Sequence, residues 1–176
     1  MDECKMKILG KWTLVFMHVT LFICLVQEYG VAFSIVNGTS MLPTIHDGDR
    51  LFVNKLRVLI DCPKIGDVIT FKDPSQMDRF LVKRVIGVSG DTIQIKHGVV
   101  YRNGKMVSEP YIDTHIEDGD FGPITVMPNT VFVLGDNRHR FASRDSRYQS
   151  IGLVPIKLIH GKVEFILWRP SFSAFL

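Results

Sequence analysis

Two hydrophobic patterns divide this chain. Residues 12–26, WTLVFMHVTLFICLV, are apolar without a polar face and hold no acidic or strongly basic side chain. That pattern predicts a membrane-crossing helix. At about 1.5 Å per residue the run reaches roughly 22 Å, and starting at Ile8 extends it to about 28 Å, against a hydrocarbon core of about 30 Å. The extension needs Lys11 to snorkel its ammonium to the interface, where Trp12 is also at home.

Beyond residue 30 the period falls to two. VAFSIV (31–36), RLFV (50–53), DVITFK (67–72), FLVKRVIGV (80–88), DTIQIK (91–96), GVVYRNGK (98–105), TVFVLGD (130–136) and GKVEFILW (161–168) predict strands. Ser89-Gly90 and Asn103-Gly104 mark tight hairpin turns. Only PIKLIH (155–160) reads as helix. Residues 109–128, rich in Asp, Gly and Pro and without periodicity, read as a surface excursion. The apolar tail SFSAFL suits either the membrane surface or core packing. The expected fold class is mainly β: a single N-terminal transmembrane helix followed by a folded antiparallel β-sheet or barrel-like domain. The expected boundaries are a tail at 1–11, an anchor at 12–27 and a β-rich domain at 31–176.

Charge gives the anchor a direction. Lys5, Lys7 and Lys11 precede the apolar run and Glu28 follows it. The positive-inside rule then puts the N-terminus in the cytoplasm and the β domain on the extracytoplasmic face of a cell membrane. A mitochondrial inner membrane is the alternative location. Cleavage as a signal peptide, with Gly30 and Ala32 as the small residues, competes with the uncleaved anchor. A net charge of +3 without a dense basic run points away from nucleic acid. Three widely spaced cysteines form neither a disulfide framework nor a zinc motif, and the six histidines show no ligand spacing. No metal or cofactor is expected.

The candidate chemistry starts at Ser40, in VNGTSMLPTIHDGD. A hydroxyl nucleophile needs a base. His46 lies six positions on, in a turn, and nothing in the sequence marks it as half of a triad. Lys83 is the other candidate. In FLVKRVIG it shares a strand face with Leu81 and Val85, so a charge stands among apolar side chains. An edge-strand lysine that blocks aggregation has the same pattern. Acting as a base near neutral pH requires burial to bring its pKa from about 10.4 to about 8, at a cost of about 3.3 kcal/mol. The third segment, VLGDNRHRFASRDSRYQSIG (133–152), is dense in polar groups directly after an apolar strand. Its Ser143 could orient an amine, and Asp145 with Arg147 could brace the loop.

SMLPT at Ser40, KRVIG at Lys83, and GDNR followed by SRDSR together resemble the type I signal peptidases, in the compact form found in Gram-positive bacteria. The resemblance covers nearly the whole chain. It implies a membrane-bound serine endopeptidase that removes N-terminal signal peptides from secretory preproteins with small residues at P1 and P3. Under it, Ser40 is the nucleophile and Lys83 the general base. Ser143 orients the lysine amine, Asp145 and Arg147 support the dyad, and Asp136, Asn137 and Arg138 open the last motif. Val36, Met41, Leu81 and Val82 are the expected pocket walls, with the lipid bilayer as a second partner. The chain departs from the pattern at Gly38, where some members carry a second oxyanion-stabilising hydroxyl, and in a longer 138–152 loop. The alternative is a catalytically inactive, membrane-anchored β-domain acting as a binding module, in which Lys83 would be solvated.

Overall fold

A computed structural model describes residues 3–170; the tail SFSAFL lies outside them. Helix α1 (Glu3–Leu25) runs through the apolar stretch and ends in a π-helical turn, Val26–Gly30. The part apolar enough to cross a membrane is Gly10–Gly30, 21 residues, and residues 10–26 are all exposed. A helix whose apolar side chains have no protein partner needs an apolar surrounding.

The remainder is antiparallel β-structure. A seven-stranded sheet has the order β1-β2-β11-β3-β4-β9-β10. Its members are β1 (Val31–Ile35), β2 (Arg50–Asn54), β3 (Val68–Asp73), β4 (Gln76–Gly87), β9 (Thr130–Leu134), β10 (Val154–Pro155) and β11 (Ile159–Trp168). A smaller sheet, β7-β6-β5-β8, holds β5 (Thr92–Lys96), β6 (Val99–Arg102), β7 (Lys105–Met106) and β8 (Phe121–Thr125). The β-class expected from the period-two runs is therefore the observed one.

Three local readings differ. PIKLIH contributes only a 3-10 turn, Ile156–Leu158, and Ile159 already begins β11. Six residues cannot offset helix nucleation without tertiary support. The aperiodic stretch contains strand β8, whose sequence FGPIT hides it behind a Gly-Pro pair. Proline is tolerated there because β8 is an edge strand. Five residues after β2 form a short helix, α2 (Leu56–Ile60), that no sequence signal marked.

Strands β4 and β9 join the two sheets. Val85 and Val133 belong to the apolar cluster under the large sheet, which also holds Phe71, Ile69 and Val154. Their neighbours Ile86 and Phe132 belong to the cluster of the small sheet, with Ile93, Ile95 and Val100. Adjacent residues face two cores because successive side chains on a strand point to opposite faces; the β4–β9 register also shifts between Val85 and Gly87. A third cluster, with Met41, Ile45, Leu51 and Val53, lies beneath the connection from β1 to β2.

Phe71 is fully buried at the centre of the large sheet. Phe71→Ala is expected to destabilise the detergent-solubilised protein by about 3–5 kcal/mol. Urea unfolding followed by tryptophan fluorescence measures this, and a loss below about 1 kcal/mol would contradict the packing described.

Candidate active site

Ser40 stands in the connection between β1 and β2. Val36 N–H donates to Asp49 O and Gly48 N–H to Val36 O, both at 2.9 Å, which closes the connection into a loop. Met41 and Ile45, 1% and 2% exposed, pin its middle to the core. The buried Asp49 pins its end. Its carboxylate accepts from His46 N–H at 2.9 Å and from Arg169 Nη2 at 2.9 Å. Burial pushes the Asp49 pKa up, but these donors hold it below the ordinary carboxylate value. Ser40 thus rides on a braced loop, half-exposed. Among the described residues its N–H donates to no backbone carbonyl.

Lys83 meets it from β4. Leu81, Lys83 and Val85 alternate inward as the period predicted, and Lys83 is 2% exposed. Its Nζ donates to Ser40 Oγ at 2.7 Å and to Val82 O at 2.9 Å. Burial pushes its pKa down to about 8, while Asp145 and Asp136 pull it back up and Arg144 and Arg79 push it further down. At pH 7 roughly one such side chain in ten is then free amine, able to accept from a hydroxyl. The aggregation-blocking and solvated-lysine readings both require exposure and do not fit. His46 sits elsewhere on the loop, with its Nδ1 buried and unpartnered.

The loop after β9 packs against this pair. A Cβ at Gly135 would lie 2.4 Å from Ser40 O and 2.2 Å from Ser143 Oγ, so only glycine lets the strands approach this closely. Asn137 ties the loop to the nucleophile: its N–H donates to Ser40 O at 3.1 Å and its Nδ2 to Thr39 O at 2.9 Å. Asp136 accepts from Arg84 Nε at 2.8 Å and Nη2 at 2.6 Å. Arg138, fully buried, donates to Gly135 O at 2.7 Å and pairs with Glu109. Asp145, also fully buried, accepts from Arg147 Nε at 2.8 Å and Nη2 at 3.0 Å, and from Gly135 N–H at 3.2 Å.

Ser143 differs from expectation in its partner. Its hydroxyl donates to Asp145 Oδ2 at 2.8 Å, and the second acceptor for Lys83 Nζ is the Val82 carbonyl. The carboxylate takes the one hydroxyl proton, and the Ser143 oxygen keeps its lone pairs for accepting. Arg84, Glu109 and Asp118 were not expected at the site. Arg84 carried a signal, a charge next to Lys83 on the opposite strand face. Glu109 and Asp118 carried none, because they lie in the aperiodic stretch.

A cleft of about 370 Å³ opens at Ser40. Val36, Met41, Leu81 and Val82, the four expected pocket residues, all line it, with Gly38 at its rim. Gly38 has φ +122°, open space where a Cβ would stand, and an N–H that donates to Asp47 Oδ1 at 2.6 Å. A serine there would be strained in this backbone conformation. Among the described residues no set of three His, Cys, Asp or Glu side chains could hold a metal ion.

Comparison with known proteins gives the family. The family described as signal peptidase, peptidase S26 matches residues 9–168. A signal peptidase I of Bacillus licheniformis is 42% identical over 143 residues, covering 76% of this chain and 75% of that protein. Signal peptidase I S of Bacillus subtilis strain 168 is 35% identical over 175 residues, 93% of this chain and 91% of its own length. The crystal structure of a signal peptidase I from Enterococcus faecalis V583 superposes with TM-score 0.50 at 31% identity, covering 59% of this chain and 98% of that one. The chain belongs to the signal peptidase family S26, and is a serine hydrolase of the signal peptidase I type.

Gly135→Ala is expected to force Ser40 and Ser143 apart, because the new methyl meets both below van der Waals contact. Preprotein cleavage should fall by about 100-fold, the scale of a misplacement of about 1 Å in an active site. A gel-based cleavage assay measures it. Activity within a few-fold of wild type would mean that the approach at Gly135 is not required.

Proposed function

We propose that Ser40 and Lys83 form the catalytic dyad of a membrane-anchored endopeptidase that removes signal peptides from secretory preproteins. The observation that carries this reading is the 2.7 Å contact between a buried lysine and a serine hydroxyl that both line one open cleft. In the reactive form Lys83 is neutral and Ser40 O–H donates to its Nζ. Ser40 Oγ attacks the scissile carbonyl as the amine takes its proton. The tetrahedral oxyanion meets the unengaged N–H of Ser40. Collapse expels the mature chain's new N-terminal amine, which receives the proton from Lys83, and leaves an acyl-enzyme. Lys83 then activates water, which releases the signal peptide and restores Ser40.

Substrate enters as a strand. β1 is an edge of the large sheet, and β4 pairs with β9 only from Arg84 onward. The backbone of residues 34–36 and 78–82 therefore borders the cleft from two sides without a strand partner there, as β-augmentation needs. Val36, Met41, Leu81 and Val82 put apolar side chains on the walls, which suits small P1 and P3 side chains. Asp136, Asn137, Ser143, Asp145 and Arg147 support the dyad through the hydrogen bonds described above. No metal or cofactor enters the reaction.

Residues 1–11 form a cytoplasmic tail, 12–27 the anchor, and the β domain faces the extracytoplasmic side of the cell membrane. The lysines before the apolar run support that orientation. An exposed aromatic strip supports membrane proximity: Phe33 packs edge-on against Phe52, which stacks on Phe165 at 4.8 Å. Trp168 is exposed on the same strand as Phe165. Signal-peptide cleavage sites emerge at this depth.

Two outcomes are expected. In detergent, the wild-type chain should cut a model preprotein after a small-x-small site, while Ser40→Ala and Lys83→Ala stay folded and lose at least about 1,000-fold in rate. Retained cleavage in either variant would refute the dyad. The wild-type single-turnover rate should also rise about tenfold per pH unit toward a bend near pH 8 and level off above it, because only the free amine is active. A flat profile from pH 6 to 9 would remove Lys83 as the base.

A further inference from the structure

Asp118 lies outside the catalytic motifs, on the connection between β7 and β8. Its side chain is 11% exposed and faces the loop that carries Ser143 and Asp145. Both carboxylate oxygens are engaged by that loop, one near each end. Oδ1 accepts from Phe141 N–H at 3.0 Å, and Oδ2 accepts from Arg147 Nη1 at 3.1 Å. The Phe141 backbone has φ +59°, an unfavourable conformation for an aromatic residue, so an external acceptor is needed to hold it. At the other end, Arg147 directs its remaining donors, Nε and Nη2, at Asp145. Asp118 thus fixes the guanidinium that fixes Asp145, and Asp145 holds the Ser143 hydroxyl and the Gly135 N–H.

We infer that Asp118 is a positioning residue for cleavage, clipping the Phe141–Arg147 loop so that Asp145 and Ser143 stay seated against the Ser40–Lys83 pair. The inference rests on that pair being the dyad. None of the clip's residues lines the cleft, whose walls come from β1, the Ser40 loop and β4. Loosening it therefore acts on the chemical step and leaves substrate binding intact. The geometry uses both carboxylate oxygens as acceptors. In Asp118→Asn the amide oxygen can still accept from Phe141, but an NH2 group then faces the Arg147 guanidinium, donor against donor. Glu117 is the internal control. It lies on the same connection and accepts from Arg140 N–H at 2.9 Å, but it has no contact with Arg147 or Asp145.

The test compares preprotein cleavage by full-length wild type, Asp118→Asn, Asp118→Glu, Glu117→Gln and Ser40→Ala in detergent, with kcat and KM determined separately. Asp118→Asn should lose about tenfold in kcat, equivalent to about 1.4 kcal/mol of transition-state stabilisation, with KM within twofold of wild type. Asp118→Glu, which keeps the charge, should recover most of the loss, and Glu117→Gln should match wild type. The inference is overturned if Asp118→Asn retains kcat within twofold, if its KM rises in step with the loss, or if Asp118→Glu is as impaired as Asp118→Asn. It is also overturned if Asp118→Asn loses its folded near-UV circular dichroism, since the residue would then serve stability alone. Ser40→Ala separates the two ideas. If it still cuts, the dyad itself fails; if it is dead while Asp118→Asn is fully active, only the clip fails.

Discussion

Everything in this fold that bears on chemistry depends on keeping Lys83 out of water beside Ser40. A solvated lysine would hold its proton at neutral pH and could not serve as a base. Bringing its pKa from 10.5 to about 8 corresponds to roughly 3 kcal/mol of interaction given up by the charged form. The sign follows from proton counting. Between pH 8 and 10.5 the unfolded chain binds more protons at this residue than the folded one, so this group's contribution to stability rises with pH across that window. Below pH 8 the penalty is present in full. The apolar clusters flanking β4 must offset it, and they can, since burying one leucine-sized side chain is worth about 1.5–3 kcal/mol.

Burial alone would not suffice, because two buried carboxylates, Asp145 and Asp136, pull the Lys83 pKa upward. Each is matched by a guanidinium. Arg84 grips Asp136 with two nitrogens and Arg147 grips Asp145 with two. Pairing reduces the negative field that either acid exerts on the lysine, while the same acids remain available to organise backbone. Arginine is suited to this work, since its fork engages a carboxylate bidentately and it does not lose its proton. Lys83 thus sits among paired charges, which is the setting the proposed base needs. The segment from Glu109 to Asp118, beside the small sheet, closes that ring from outside through Arg138 and Arg147.

The sequence made the strands legible because their period is short and their turns are marked: Asn103-Gly104 between β6 and β7, and Ser89-Gly90 ahead of β5. Ser40 and Lys83 were legible because a turn serine and a mid-strand lysine stand in a recurring order after an apolar helix. Hydrogen-bond direction was not. Which acceptor takes the Ser143 proton depends on where folding puts the Asp145 carboxylate, and no residue pattern encodes that. Strand β8 was hidden because Gly122 and Pro123 look like turn residues until an edge position accommodates them. Glu109 and Asp118 were invisible for a related reason: their roles come from partners about 29 residues away along the chain, across an irregular loop.

The most direct test of this account is a titration of Lys83 itself. Protein labelled with 13C at the lysine Cε would be followed by NMR in detergent micelles from pH 6 to 11, with the resonance assigned by its absence in Lys83→Met. The account requires a midpoint near pH 8, well below the other lysines. A midpoint near 10.5 would mean that the amine stays protonated at neutral pH, and a buried Lys83 acting as the base for Ser40 would be ruled out.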